Sequence, residues 1–238
     1  MNCDKPFGSE GHKEAMKDLA SNEYAKQLRR ALFYQDSVHQ FESKAHFDNC
    51  DFDGATAYVD TLLNEAEQQV LVAQAGKAKK DTVAMVAAGE KAFFSIGQAL
   101  HAVQDFYAHS NYIEMTKDTV KDATDIAVIP FWTPEGNAAL RKLQQNGLVS
   151  GFVFWGIPQL CPAGAQSHAD LAKDSEDTKS GKVRVAHLEN LSQYRLAIVA
   201  ARQASSDFLR YSFKRWPLLD ELNGKYVAFE VLVDRRGL

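Results

Sequence analysis

The chain has 238 residues, 45% of them apolar and 24% charged, which is enough for a substantial core and is the balance of an ordinary globular protein. A net charge of −4 without a long basic run argues against a protein whose main task is holding nucleic acid by its phosphates. No run approaches the roughly 18 apolar residues of a membrane-spanning helix. The opening MNCDKPFGSEGH has neither region of a Sec signal, so the expectation is a cytoplasmic protein or one exported without such a signal. Cys3, Cys50 and Cys161 are scattered and odd in number, which does not suggest a disulfide framework.

In chain order the elements read as mostly helical. Residues from about 11 to 40 combine helix formers with Leu19, Leu28, Ala31 and Leu32 on loosely periodic faces. Residues 52–75 repeat Tyr58, Leu62, Leu63 and Val70 at amphipathic spacing, with Gly76 and its following lysines as the stop. Asp81 then caps a long helix to about residue 114. Between Asp118 and Thr178, prolines and glycines break the chain into loops, one short helix over 137–145 and a strand over 149–155. Helix returns over 183–219, and 226–234 alternates as a strand, expected to pair with 149–155 or with another subunit or partner protein. The result is an all-α domain over 1–223 with a C-terminal strand extension over 224–238.

The long helix carries the chemistry. Its stretch FFSIGQALHAVQDFYAHSNYIEM puts Phe93, Ile96, Leu100, Val103 and Tyr107 on one core stripe, with His101, Asp105 and His109 on a separate polar one. Four residues rise about 6 Å, so the outer histidines are about 12 Å apart along the axis. Zn–N bonds are about 2 Å, too short for those two rings to share an ion. Asp105 can join either histidine on a metal, so the pattern points to more than one ion.

Of the seven histidines, His46 with Asp48 lies in the acid-rich junction AHFDNCDFD, and His168 lies in SHADLAKDS with Asp170 and Asp174. Loops of this kind bring remaining ligands to a helix-borne set. His39 and His187 have no such setting, and Cys161 is a weaker candidate thiolate ligand.

These residues carry a family resemblance. ALHAVQDFYAHSNYIEM resembles the central motif of the HET-C (heterokaryon incompatibility) family, and HFDN at 46–49, HADLAKDS at 168–175 and SEGHKEAM near the start resemble its further blocks. That family is similar in turn to the zinc-dependent phospholipase C and P1 nuclease group of all-α enzymes with a trinuclear zinc centre. The resemblance implies that His12, His46, Asp48, His101, Asp105, His109 and His168 are zinc ligands, with Asp48 and Asp105 also serving catalysis. The phospholipases place Glu or Asp four residues after the later histidine. Here that position is Ala172, and Asp174 is the substitute, with Asp170 second. Those enzymes also use an N-terminal Trp for one ion, whereas this chain begins MNCDKPF, so two or three zinc ions are expected.

The implied activity is phosphodiester hydrolysis, with phospholipid or a membrane surface as substrate and a cell-death or incompatibility setting. Phe131, Trp132, Phe152, Phe154 and Trp155, in the aromatic loops 128–136 and 151–158, either touch a lipid interface or fill the core. A P1-like nuclease is the alternative enzyme, and a metal-stabilised interaction module without turnover is the non-catalytic alternative. No specific nucleic acid is expected.

Overall fold

A computed structural model describes residues 9–16 and 23–223. The first helices are α1 (Ser9–Ala15), α2 (Glu23–Val38), α3 (Ser43–His46), α4 (Phe52–Ala78), α5 (Thr82–His109) and α6 (Tyr112–Thr116). After a 3-10 turn at Ala123–Asp125 come α7 (Pro134–Gln145), α8 (His168–Leu171), a two-stranded antiparallel sheet of β1 (Arg184–Val185) and β2 (Leu191–Ser192), α9 (Gln193–Arg215) and α10 (Pro217–Leu222).

Helix α5 is the axis, lying against α4, α2 and α9. The core stripe of Phe93, Ile96, Leu100, Val103 and Tyr107 is buried as the periodicity predicts. So, however, are nearly all residues from Ala92 to His109, because Ala92, Gly97, Ala99, Ala102 and Ala108 let neighbours approach on every side. Gly97 shows how close: a Cβ there would stand 2.7 Å from Ala31 Cβ and 2.8 Å from Leu28 Cα on α2. Beneath the far end of α5, Phe47, Phe106, Tyr107, Tyr112 and Phe131 form edge-to-face and tilted ring contacts, each worth about 0.5–1.5 kcal/mol beyond area burial.

Several boundaries differ from the sequence reading. The helix expected over 11–40 is described as α1 and α2, and α4 continues past Gly76, which lies against the backbone of Asp81 and Met85. Asp81 does cap α5, accepting from Ala84 N at 3.0 Å. The long helix stops at His109, before residue 114. Ser110 is extended, its hydroxyl returns to Phe106 O, and its backbone bridges to Ser150. The expected strand 149–155 is therefore an extended segment that pairs one residue at a time, Ser150 with Ser110 and Phe152 with Ser167. The helix expected to begin at 183 begins at Gln193, because Glu189 and Asn190 take positive φ in the β1–β2 turn. The strand expected over 226–234 lies outside the described residues.

The cysteines also depart from expectation. Cys50 and Cys161 form a disulfide across a sequence separation of 111, so Cys161 has no thiolate to offer a metal. The aromatic loops divide as well. Phe131 and Trp132 are core residues, whereas Phe154 and Trp155 are exposed.

Candidate metal centre

Asp105 is where the elements meet. It lies one turn beyond His101 on α5, and its two oxygens face different partners. Oδ2 is 2.9 Å from His101 Nε2 and 3.0 Å from His46 Nδ1 at the end of α3, while Oδ1 is 3.4 Å from His12 Nε2 on α1. Asp36, in the last turn of α2, brings Oδ1 to 3.6 Å from His101 Nε2. Two ligand groups result, His12–His101–Asp105 and Asp36–His46–His101, each with its candidate ligand atoms within 4.8 Å of one another.

The tautomer of His12 is set from behind. Ser205 Oγ donates to Ala201 O, so it accepts from Gln104 Nε2 at 2.9 Å. Gln104 Oε1 is thereby turned to His12 and accepts from its Nδ1 at 2.6 Å. The proton sits on Nδ1, and Nε2, on the Asp105 side, keeps its lone pair.

His109 belongs to a third group. Its Nδ1 donates to the His46 carbonyl at 2.9 Å, and Nε2 is 3.3 Å from Asp174 Oδ1. The other Asp174 oxygen lies 3.6 Å from His168 Nε2, and His168 Nδ1 donates to Asp48 Oδ1 at 2.9 Å. Asp48, His109 and His168 again have ligand atoms within 4.8 Å of one another. The helix spacing suggested that Asp105 could join His109 on an ion. With the Nδ1 proton committed to His46 O, that nitrogen stays 3.9 Å from Asp105 Oδ2, and Asp105 joins His12, His46 and His101 instead.

Asp48 is held by an unusual stretch of backbone. Phe47, Asn49 and Cys50 all have positive φ, a conformation costing such residues about 1–3 kcal/mol each. Three contacts enforce it. The Phe47 ring is buried among Phe52, Phe106 and Phe131, Asn49 bonds Ser43 Oγ and Val153 N through its amide, and Cys50 is tied to Cys161. Asp174 is positioned by its neighbour Lys173, whose buried ammonium bonds Ser110 O, Leu171 O and Glu114. Asp170 is turned elsewhere, to the Ser167 cap and to Lys179.

The electrostatics divide the imidazoles, keeping His101 neutral and His109 and His168 protonated beside ionised carboxylates. Burial pushes His101 down to about 4, so it is neutral at physiological pH. Burial opposes ionisation of Asp105, but His101 and His109 outweigh it and hold the carboxyl well below its ordinary value. His109 is raised to about 9 because Asp105 and Asp48 overcome its own burial. Against burial, Asp48 and Asp174 raise His168, and the adjacent His109 and His168 imidazoles lower Asp174.

Asp36 Oδ1, His46 Nε2, His101 Nδ1, Asp105 Oδ1, His109 Nε2 and Asp174 Oδ1 are buried without a hydrogen-bond partner among the described residues. Each such atom costs about 1–3 kcal/mol, and cations taking nitrogen and oxygen lone pairs together would satisfy them. The buried His/Asp groups can hold metal ions, and imidazole with carboxylate is a donor set for divalent transition metals. A cavity of about 810 Å³ opens against His12 and Asp36, walled by Leu32, Phe33 and Phe94 with Arg29 and Arg30.

The histidines and aspartates expected at the site, His12, His46, Asp48, His101, Asp105, His109, His168 and Asp174, are thus brought together. His39 pairs with Glu42 and His187 donates to Lys117 O, both outside the groups. Sequence reasoning missed Asp36 and Gln104. A signal for Asp36 was present: a carboxylate in the last turn of a helix opposes the helix dipole and needs a compensating partner. Gln104 had none, because its role depends on Ser205, 101 residues away.

The family described as the VWA7 N-terminal domain matches residues 23–127, just under half of the chain. The matched stretch holds Asp36, His46, Asp48, His101, Asp105 and His109, whereas His12, His168 and Asp174 lie outside it. No curated protein and no solved structure matches the chain.

Proposed function

We propose that this chain is a zinc-dependent phosphodiester hydrolase of the phospholipase C type, with phospholipid as substrate. The observation that carries the reading is the convergence of three His/Asp groups on one buried place, two of them sharing His101, with Asp105 in contact with a histidine of each. The helical architecture and the HET-C-like motifs are consistent with the same class. Zinc, when bound, supplies Lewis acidity that makes a water nucleophilic near neutral pH and neutralises phosphoryl oxygens.

The chain's own residues do the rest. Asp105 sets the spacing of the two groups it joins, and Gln104 keeps the His12 proton away from them. Asp174 aligns His109 with His168, one oxygen to each. Asp48, anchored by His168, is the carboxylate that orients the attacking water and takes its proton. Arg29 and Arg30 beside the apolar wall of the cavity fit an amphiphilic phosphodiester. Phe33 and Phe94 in the same wall could stack a base, so a P1-like nuclease is the second reading. The Cys50–Cys161 bond favours an oxidising compartment over the cytoplasm.

The test is zinc analysis of the purified protein, followed by hydrolysis assays with phosphatidylcholine, single-stranded DNA and RNA. More than one zinc per chain with lipid cleavage supports the proposal, and cleavage of nucleic acid alone favours the nuclease. Stoichiometric zinc without turnover on any of the three leaves a metal-stabilised interaction module.

A further inference from the structure

Residues 149–166, VSGFVFWGIPQLCPAGAQ, contain no Asp, Glu, Lys or Arg in a chain that is 24% charged. Within this loop Phe154 is 75% exposed, Ile157 76%, Leu160 57% and Trp155 43%. A second segment joins them: Ile157 N donates to Phe41 O, and the Phe41 ring is 57% exposed. Glu42, next to Phe41 in the chain, is paired with Lys44 at 3.1 Å. Exposed apolar groups scattered singly need no explanation, but five from two segments at one tip do.

The tip is held firmly to the metal centre. Its base donates from Gly151 N to His109 O and accepts at Phe152 O from His168 N. Asn49 Oδ1 accepts from Val153 N, Leu160 N donates to Asn49 O, and Cys161 is bonded to Cys50. Loops without regular structure usually carry polar residues outward, and this one is pinned on both sides with its apolar side chains facing solvent.

We infer that the tip of Phe154, Trp155, Ile157 and Leu160, with Phe41 beside it, docks on a phospholipid bilayer and presents the metal centre to the headgroup layer. The inference deepens the phospholipid reading above and rests on it for its biological purpose. The absence of charge argues for lipid over a protein partner. Interfaces between proteins have a polar rim that fixes register, whereas entry into acyl chains penalises every charge. It also sets the lipid type. With no basic cluster, docking needs no anionic lipid, and salt should hardly change it.

The experiment uses the zinc-reconstituted full chain and vesicles of pure phosphatidylcholine. Trp132 and Trp216 are buried, so Trp155 dominates any lipid-dependent change in tryptophan emission. Docking predicts a blue shift, quenching by bromine-labelled acyl chains, and co-sedimentation that is about the same in low and high salt. In Phe154→Ser/Ile157→Ser, partitioning should fall at least about tenfold, with melting temperature and zinc content reporting that the variant is folded. Wild type that stays in solution, or a folded double variant that sediments like wild type, overturns the inference. So does self-association through the tip, seen as a dimer by sedimentation velocity without vesicle binding. Hydrolysis of a soluble diester, bis(p-nitrophenyl) phosphate, separates the two readings. Its cleavage without vesicle binding sinks the docking surface alone, and tip-dependent binding without cleavage of any diester sinks only the hydrolase.

Discussion

Asp105 is expected to show the largest effect of any single side chain, because one oxygen faces His12 while the other faces His101 and His46, members of the neighbouring group. Asp105→Asn removes a donor from the His12 group and a charge that faces His46 and His101 of the Asp36 group, so metal should be lost from both while the Asp48–His109–His168 group keeps its own. His109→Ala should do the converse. Elemental analysis after dialysis distinguishes them, and diester hydrolysis in Asp105→Asn should fall by more than the roughly 10–100-fold typical of outer partners. Gln104→Leu tests such an outer partner directly. Without the Gln104 acceptor the His12 proton is free to move to Nε2, and zinc affinity should drop about 10–100-fold with the fold retained. Competition with a chelator measures it; unchanged affinity would remove His12 from the ligand set. At this scale the sequence was readable where residue type and local spacing carried the signal, as for His101 and Asp105. It was not readable for ring orientation, since the His109 proton is claimed by a carbonyl 63 residues away.

Among the elements, the turn between α3 and α4 and the loop 149–166 act as a pair. One supplies Asp48 from three left-handed residues, the other holds His168, and the disulfide joins them. A cross-link closing a loop of 111 residues restricts the unfolded chain by an amount worth about 4–5 kcal/mol. Cys50→Ser/Cys161→Ser should therefore lose about 3–5 kcal/mol in urea unfolding, and dithiothreitol should lower wild type to the same level. A midpoint insensitive to both would show that the bond does not form. Nothing in the spacing of three cysteines announced this pair, because the two sulfurs meet only after α4, α5 and the long loop are packed.

For the whole molecule, the buried charges make stability depend on pH and metal together. In the metal-free protein, the raised His109 and His168 contribute stability that is full below their unfolded value of about 6.5. The His109 part is lost as pH rises through about 9. The depressed Asp105 and Asp174 contribute stability that is full above about 4 and lost as pH falls through their lower folded values. The depressed His101 costs stability as pH falls from about 6.5 toward about 4, so metal-free protein should be most stable near about pH 6.5 and weaken toward about pH 9. A metal ion bound at His109 and His168 would have to displace their protons, so its benefit would run the other way. The zinc-induced rise in melting temperature should be larger near pH 8.5 than near pH 6, about the interval over which those imidazoles lose their protons. Scanning fluorimetry with and without zinc checks this, and an equal rise at both values would mean that the imidazoles do not compete with protons for the metal.

Local periodicity and local caps were enough for the sequence to determine the helical class, the buried stripe of α5 and the Asp81 cap. The same locality marked the His and Asp residues of 46–48, 101–109 and 168–174 as a set. Tertiary structure alone decided that Asp36 joins His101, that Asp105 faces three histidines from three helices, and that Phe131 and Trp132 are core while Phe154 and Trp155 are not. The physical reason is distance along the chain. Repeat and capping act over three or four residues, whereas the bonds that orient these ligands, such as His12 to Gln104 and His168 to Asp48, span 92 and 120 residues and exist only once α5 is enclosed.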